Sequence, residues 1–176
     1  MIRTMNLLSR PCVALSLLLA AGCASVPEQP RQVGSEAVPA AMVAAVRAHA
    51  AADDAELAVQ PLRDPRVEDL RADAARLEAA GDLAGAARAL DEAMAIVGND
   101  PALMQERAEV ALLQGDHALA GSLAERAYAL GARVGPLCRR HWATLEQLRQ
   151  AEGDAAGVGS AREQIQACRV TGPERY

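Results

Sequence analysis

The chain has 176 residues, of which 51% are hydrophobic but only 2% aromatic, and it contains no Phe. Because alanine dominates the apolar fraction and strand-forming residues are scarce, the composition nearly excludes an all-β or α/β fold and predicts an all-α protein. The net charge of −5 argues against a nucleic-acid partner, since phosphate binding requires a basic surface.

Residues 1–22 have the layout of a secretory signal peptide. Arg3 and Arg10 precede an uncharged apolar run that ends in small residues. This run has about 12 residues, whereas a helix needs about 20 to cross the hydrocarbon core of a bilayer. The segment therefore predicts export without a permanent membrane span.

The signal peptide ends in Leu19-Ala20-Ala21-Gly22-Cys23, which resembles the lipobox of bacterial lipoproteins. In that family the cysteine is acylated and becomes the new N-terminus, so the resemblance implies lipidation of Cys23 and membrane attachment through acyl chains. By the same resemblance, Ala24 after the cysteine implies that the lipoprotein is sorted to the outer membrane and attached at its periplasmic face. The alternative is an ordinary signal peptide with an incidental Cys23.

Two segments separate the signal peptide from the first clear helix. Residues 23–38 carry Pro, Gln, Gly and Ser without an apolar period, which predicts a disordered tether after the lipidated cysteine. Residues 39–60 carry a thin apolar stripe and are interpreted as an N-terminal helical segment that caps the first repeat, either one helix or a pair broken at Asp53-Asp54.

A Gly-Asp dipeptide occurs three times, at Gly81-Asp82, Gly115-Asp116 and Gly153-Asp154. Glycine closes a helix in a left-handed conformation and aspartate caps the next helix, so each pair predicts a helical hairpin. Asp64-Pro65 and Asp100-Pro101 add a cap and a first-turn proline before two hairpins. The predicted helices cover residues 65–80, 83–97, 101–114, 117–130, 136–152 and 155–169.

Helical hairpins spaced by 34 and 38 residues resemble the tetratricopeptide repeat, or TPR. That family has a bulky residue early in its first helix, here Leu70, Met104 and Trp142, and small residues where helices touch, here Ala74, Ala108, Ala86, Ala120, Ala93 and Ala127. Glu146 departs from this pattern. The resemblance implies a TPR-like α–α hairpin solenoid over 65–170, with an extra N-terminal helix, about three repeats (67–100, 101–134 and 136–170) and a tail at 171–176. The alternative is an alanine-rich helical bundle.

Cys138 and Cys168 remain once Cys12 is removed with the signal peptide and Cys23 is lipidated. Each lies 15 residues from Gly153, on opposite sides, so an antiparallel hairpin brings the two sulfurs within bonding range. Export to an oxidising compartment favours the bond. The pattern predicts a Cys138–Cys168 disulfide rather than a metal site, for which the ligand set is too short.

Catalytic and cofactor motifs are absent from the sequence. His49, His117 and His141 stand in no nucleophile, zinc or nucleotide motif. We therefore expect neither an enzyme nor a cofactor or metal ion.

By the TPR resemblance, the first helix of each repeat lines a concave groove. The residues predicted to bind a partner there are Glu68, Arg71, Glu78, Gln105, Glu109, Leu112, Arg140 and Gln147. The hypothesis is a lipid-anchored, non-catalytic adaptor or scaffold that holds another envelope protein or peptide. Pilus-assembly, secretin-piloting and peptidoglycan-hydrolase-delivering lipoproteins are comparable, and no residue chooses among them or sets the oligomeric state.

Two alternatives to the adaptor remain open. One is a self-associating structural lipoprotein, in which Val158 and Ile165 of the last helix stack on a second copy. The other is a small-ligand carrier or enzyme whose pocket contains His49 or His141 beside a buried carboxylate.

Overall fold

The computed structural model describes residues 37–49 and 64–169, and secondary structure within these ranges is entirely helical. The helices are α1 (Ala37–Ala48), α2 (Pro65–Ala79), α3 (Leu83–Val97), α4 (Pro101–Leu113), α5 (His117–Leu130), α6 (Gly135–Glu152) and α7 (Ala155–Ala167). The predicted signal peptide, the lipidated Cys23, most of the tether and the C-terminal tail lie outside the described residues. None of the described helices is long and apolar enough to span a bilayer.

The Gly-Asp turns form the helix boundaries as the sequence predicts. Gly81, Gly115 and Gly153 all have positive φ, between 75° and 81°, a conformation that glycine adopts at little steric cost. Each following aspartate accepts a hydrogen bond from a backbone N–H in the first turn of the next helix, at 2.8–3.0 Å. The observed ends of α2–α7 lie within two residues of the predicted ones.

Helices α2–α7 pack as three consecutive hairpins, α2/α3, α4/α5 and α6/α7, and neighbouring hairpins stack through α3 with α4 and α5 with α6. The small residues predicted at helix contacts are all buried, which lets the helix axes approach closely: Ala74, Ala86, Ala93, Ala108, Ala120 and Ala127. The predicted all-α, TPR-like solenoid of three hairpins is confirmed.

The third hairpin accommodates a glutamate where the first two have alanine. The Glu146 side chain is nearly buried, and its carboxylate accepts a hydrogen bond from Arg162 Nε of α7 at 2.7 Å. The same hairpin carries the disulfide between Cys138 and Cys168, with a Cα–Cα distance of 5.7 Å. This bond joins the start of α6 to the end of α7, as predicted from the spacing of the cysteines.

Helix α1 lies elsewhere than the sequence interpretation placed it. It begins at Ala37, two residues inside the predicted tether, and packs mainly against α4 and α6. The expectation that it caps the first repeat is therefore wrong. The physical reason is that Met42, Val43 and Val46 bury their side chains in one cluster with apolar residues of the second and third hairpins.

Candidate partner-binding groove

The first helices of the three hairpins, α2, α4 and α6, carry the residues predicted to line the groove. α1 occupies the part between α4 and α6. The part between α2 and α4 remains open as a cavity of about 610 Å³. We call this cavity the open groove. Its lining residues are Arg47, Glu68, Arg71, Ala72, Ala74, Ala75, Glu78, Ala79, Leu90, Glu106, Glu109, Val110 and Arg140.

The eight predicted groove residues divide into two sets. The structure brings five of them together around the open groove: Glu68, Arg71, Glu78, Glu109 and Arg140. The remaining three, Gln105, Leu112 and Gln147, do not line it. Gln105, Glu109 and Leu112 are each 0% exposed, so the expectation that all eight form an accessible surface is wrong.

The burial of these residues has two causes. Leu112 packs in the apolar cluster formed with α1, and Glu109 accepts a hydrogen bond from Arg47 of α1. Gln105 is enclosed between α4 and α6, where its amide nitrogen donates to Thr144 Oγ1 at 2.9 Å.

Glu109 accepts hydrogen bonds from three different side chains. Arg47 Nε donates to one of its oxygens at 2.9 Å, while Arg140 Nε and Gln105 Nε2 donate to the other at 2.9 Å. These charge-assisted hydrogen bonds offset the cost of burying a carboxylate away from water. Glu109 therefore joins α1, α4 and α6 through one side chain.

Arg47 connects α1 to two helices of the repeats. Besides Glu109, it holds Glu78 of α2 in a bidentate ion pair at 2.8 and 2.9 Å. The hydrogen bond with Glu78 is the largest of the effects that raise the pKa of Arg47 above its ordinary value. The sequence interpretation missed Arg47, although a single arginine at the end of a thin apolar stripe was the available signal.

The opposite wall of the open groove is built around Arg71. Its Nε donates to Glu106 of α4 at 2.9 Å, and its guanidinium also pairs with Glu68 one turn away on α2. The bond with Glu106 is the main reason that the pKa of Arg71 is raised. The aliphatic lining between these charges is mostly alanine. The open groove therefore has charged side chains at its rim and small apolar side chains at its base.

His141 lies in a polar network beneath the groove and is 0% exposed. Its Nδ1 is 2.7 Å from Gln105 Oε1, so Nδ1 carries the proton and donates to that acceptor. Nε2 has no hydrogen-bond partner among the described residues. Burial, with a smaller contribution from Arg140, lowers the pKa of His141 to about 4. A neutral, enclosed imidazole bonded to an amide serves packing rather than proton transfer.

The alternatives from the sequence receive different support. His49 and Glu146 line a smaller cavity of about 390 Å³ beside α7, but no cluster of three potential metal ligands occurs in residues 37–49 and 64–169. Ile165, expected at a surface for self-association, is 2% exposed and belongs to the core shared with α1. Of the two residues proposed for that contact, Val158 alone is partly exposed.

The fold and groove define a TPR-like helical-repeat protein. No protein-family model and no curated protein matches the chain. The globular C-terminal domain of P. aeruginosa LpoP, a solved structure, is similar: 33% identity, a TM-score of 0.54, and coverage of 60% of this chain and 99% of that one. At this identity and coverage, the chain belongs to the family of the LpoP C-terminal domain.

Proposed function

We propose that this protein is a lipid-anchored adaptor of the bacterial envelope, which binds another envelope protein through the open groove and catalyses no reaction. The observation that carries the proposal is the 610 Å³ cavity bounded by α1, α2 and α4. The similarity to the LpoP domain supports a lipoprotein of the envelope. Lipidation of Cys23 and attachment at the periplasmic face of the outer membrane are parts of this proposal.

The chemistry of the open groove favours binding over catalysis. Its described lining contains arginine, glutamate and aliphatic residues, without a serine, cysteine or histidine. The glutamates, which are the residues that could act as a base, are all ion-paired with arginines. The arginines that line it each pair with a glutamate of the same groove. Alternating, paired charges around an alanine floor fit a polypeptide with both polar and small apolar groups.

A pull-down with a steric block tests the proposal. Full-length, lipidated protein is crosslinked in its own membranes, and captured proteins are identified beside a Cys23→Ala control. Ala75→Arg places a long side chain in the open groove, whereas Ala95→Arg makes the same change on exposed α3. We expect one envelope protein to be lost with Ala75→Arg and retained with Ala95→Arg.

The partner's class is read from the same eluate. Labelling with a fluorescent penicillin shows directly whether a penicillin-binding protein has been captured, and mass spectrometry covers pilus, secretin and hydrolase components. Equal capture by both arginine variants would reject the groove as the docking site. Recovery of the protein alone would favour the self-associating alternative.

A further inference from the structure

α1 sits between α4 and α6 much as a bound helical peptide would. Its side chains make contacts of two kinds, and the backbone oxygen of His49 directly after it accepts a hydrogen bond from Arg139 Nε at 2.9 Å. Met42, Val43 and Val46 are anchored in an apolar cluster that includes Leu112, and Arg47 reaches the glutamates described above. This arrangement of aliphatic residues at i, i+1 and i+4 with an arginine at i+5 is the pattern of an amphipathic helix in a groove.

Much of the apolar core of the repeats is built without α1. Two of the three apolar clusters, around Val67 and around Met104, contain no residue of α1. The disulfide and the Gly-Asp turns likewise belong to α2–α7. α1 has 12 residues, and helices of that length are marginal in water without packing partners. Its stability is therefore supplied by the groove.

The length of the connection between α1 and α2 does not dictate where α1 packs. Residues 49–64 join α1 to α2, and a connection of that length reaches about 50 Å when extended. α1 is thus held in the groove by its side-chain contacts rather than by a short connection.

The surface beneath α1 is suited to reversible contact. Glu109 keeps hydrogen bonds from Arg140 and Gln105 when Arg47 is withdrawn, so departure of α1 leaves its buried carboxylate paired. The hydrogen bond from Arg139 Nε to the His49 backbone oxygen is given up. The side chain of Arg47 is 46% exposed, and water can replace part of its interactions. These features resemble an interface that opens more than a permanent core.

We propose that α1 is an exchangeable occupant of the surface between α4 and α6, which adjoins the open groove. The partner that contacts the open groove docks an amphipathic helix of the same pattern on this surface and displaces α1. The inference rests on the proposed function, because a protein partner supplies the competing helix. The ligand class is specific: three aliphatic side chains within one and a half turns, followed directly by an arginine that pairs with Glu109 and Glu78.

A peptide-exchange experiment tests this inference without the natural partner. The probe is a fluorescent synthetic peptide of residues 37–49, and the protein is the full mature chain in detergent. Val46→Asp in the protein places a charge where Val46 is 0% exposed and weakens docking of the resident α1. We expect the wild-type peptide to bind this variant at least tenfold more tightly than wild-type protein, because a tethered α1 competes at about millimolar effective concentration.

The matched control is in the peptide. A peptide with Arg47→Glu should bind neither protein, since it meets Glu109 and Glu78 with a like charge. Absence of saturable binding to the Val46→Asp chain up to about 1 mM would overturn the inference. So would wild-type protein that dimerises by exchanging α1, because the occupant would then be a second copy.

Hydrogen exchange gives an independent readout should the Val46→Asp chain fail to fold. In wild-type protein, the amides of α1 should exchange through an opening that leaves those of α4 and α6 protected. Equal protection of α1, α4 and α6 would overturn the inference. If the peptide binds as expected but the envelope pull-down recovers no partner, the adaptor function is rejected. The assignment of an amphipathic helix as the ligand of this surface would still stand.

Discussion

Arg47 at the end of α1 and Glu109 in the middle of α4 are 62 residues apart in sequence, yet Arg47 Nε lies 2.9 Å from the Glu109 carboxylate. Glu109 is buried, whereas Glu78, the second partner of Arg47, has a side chain that is 20% exposed. The bidentate pair with Glu78 raises the pKa of Arg47 most, but both side chains of that pair are partly exposed and water screens their attraction. The lower effective dielectric constant around Glu109 strengthens its interaction with the guanidinium. The two ion pairs of Arg47 are therefore unequal.

Double-mutant cycles should reveal this inequality. Arg47→Ala is combined with Glu109→Gln in one cycle and with Glu78→Gln in the other. Because Arg47 is about half exposed, we expect a coupling energy of about 1–2 kcal/mol with Glu109 and about 0.5 kcal/mol with Glu78. Urea denaturation followed by circular dichroism gives both values. Equal couplings would contradict the structure at this contact.

The buried imidazole of His141 should make stability pH-dependent. Its pKa is about 4 in the folded protein and about 6.5 when unfolded. Above pH 6.5 the group is neutral in both states and its contribution is complete. Between pH 6.5 and 4 the unfolded chain binds a proton that the folded chain does not, so about 3 kcal/mol is lost as pH falls.

The measurement is the free energy of unfolding from pH 7 to pH 4. His141→Gln keeps a polar side chain that does not titrate. Across this window its free energy of unfolding should therefore fall by up to about 3 kcal/mol less than that of the wild type. Exposed His117→Gln is the matched control and should follow the wild-type curve. A His141→Gln curve parallel to the wild type would show that this histidine does not titrate as described.

Loss of the disulfide should destabilise the third hairpin. The bond closes a loop across 30 positions of the sequence, and in the chain-entropy model it contributes about 3–4 kcal/mol. Cys138→Ala combined with Cys168→Ala should lower the free energy of unfolding by at least that amount, since removing two buried sulfur atoms also loses packing contacts. Adding a reductant to wild-type protein should have a similar effect on the melting temperature and none on the double variant.

Two glycines of the same hairpin offer opposite predictions. Gly153 has φ of 75° at the end of α6, so Gly153→Ala should cost about 1 kcal/mol of stability. Gly159 lies within α7, and a Cβ there would meet no atom within 4 Å. Gly159→Ala should therefore stabilise the protein by about 0.5–1 kcal/mol. Thermal denaturation of the two variants beside the wild type measures both effects. Effects of the same sign would contradict the turn described at Gly153.

The six helices of the hairpins were predictable because their boundaries are local. A pair such as Gly115-Asp116 carries both the left-handed residue and the cap, and each acts within a few positions of itself. The disulfide also followed from the symmetry of two cysteines about Gly153. The composition and spacing thus contain most of the fold.

The groove was only partly predictable because its outcome depends on a long-range competition. Glu109 was expected to bind a partner, but in the structure its carboxylate is ion-paired with Arg47 of the same chain. The apolar stripe of α1 is compatible with several surfaces, and no local signal selects α4 and α6. Likewise, the network of Gln105 and His141 becomes visible only when α4 and α6 are placed side by side.

The position of α1 in the chain gives it a mechanical role once Cys23 carries the lipid proposed above. α1 then lies in series between the membrane and the repeats, so tension on the anchor acts on α1 before it acts on any hairpin. With α1 seated, the length of residues 24–36 limits the reach of the repeats to about 45 Å. With α1 released and unfolded, the length of residues 24–64 raises that upper limit to about 140 Å. Seating and release of one short helix would therefore set how far from the membrane the repeats can meet a partner.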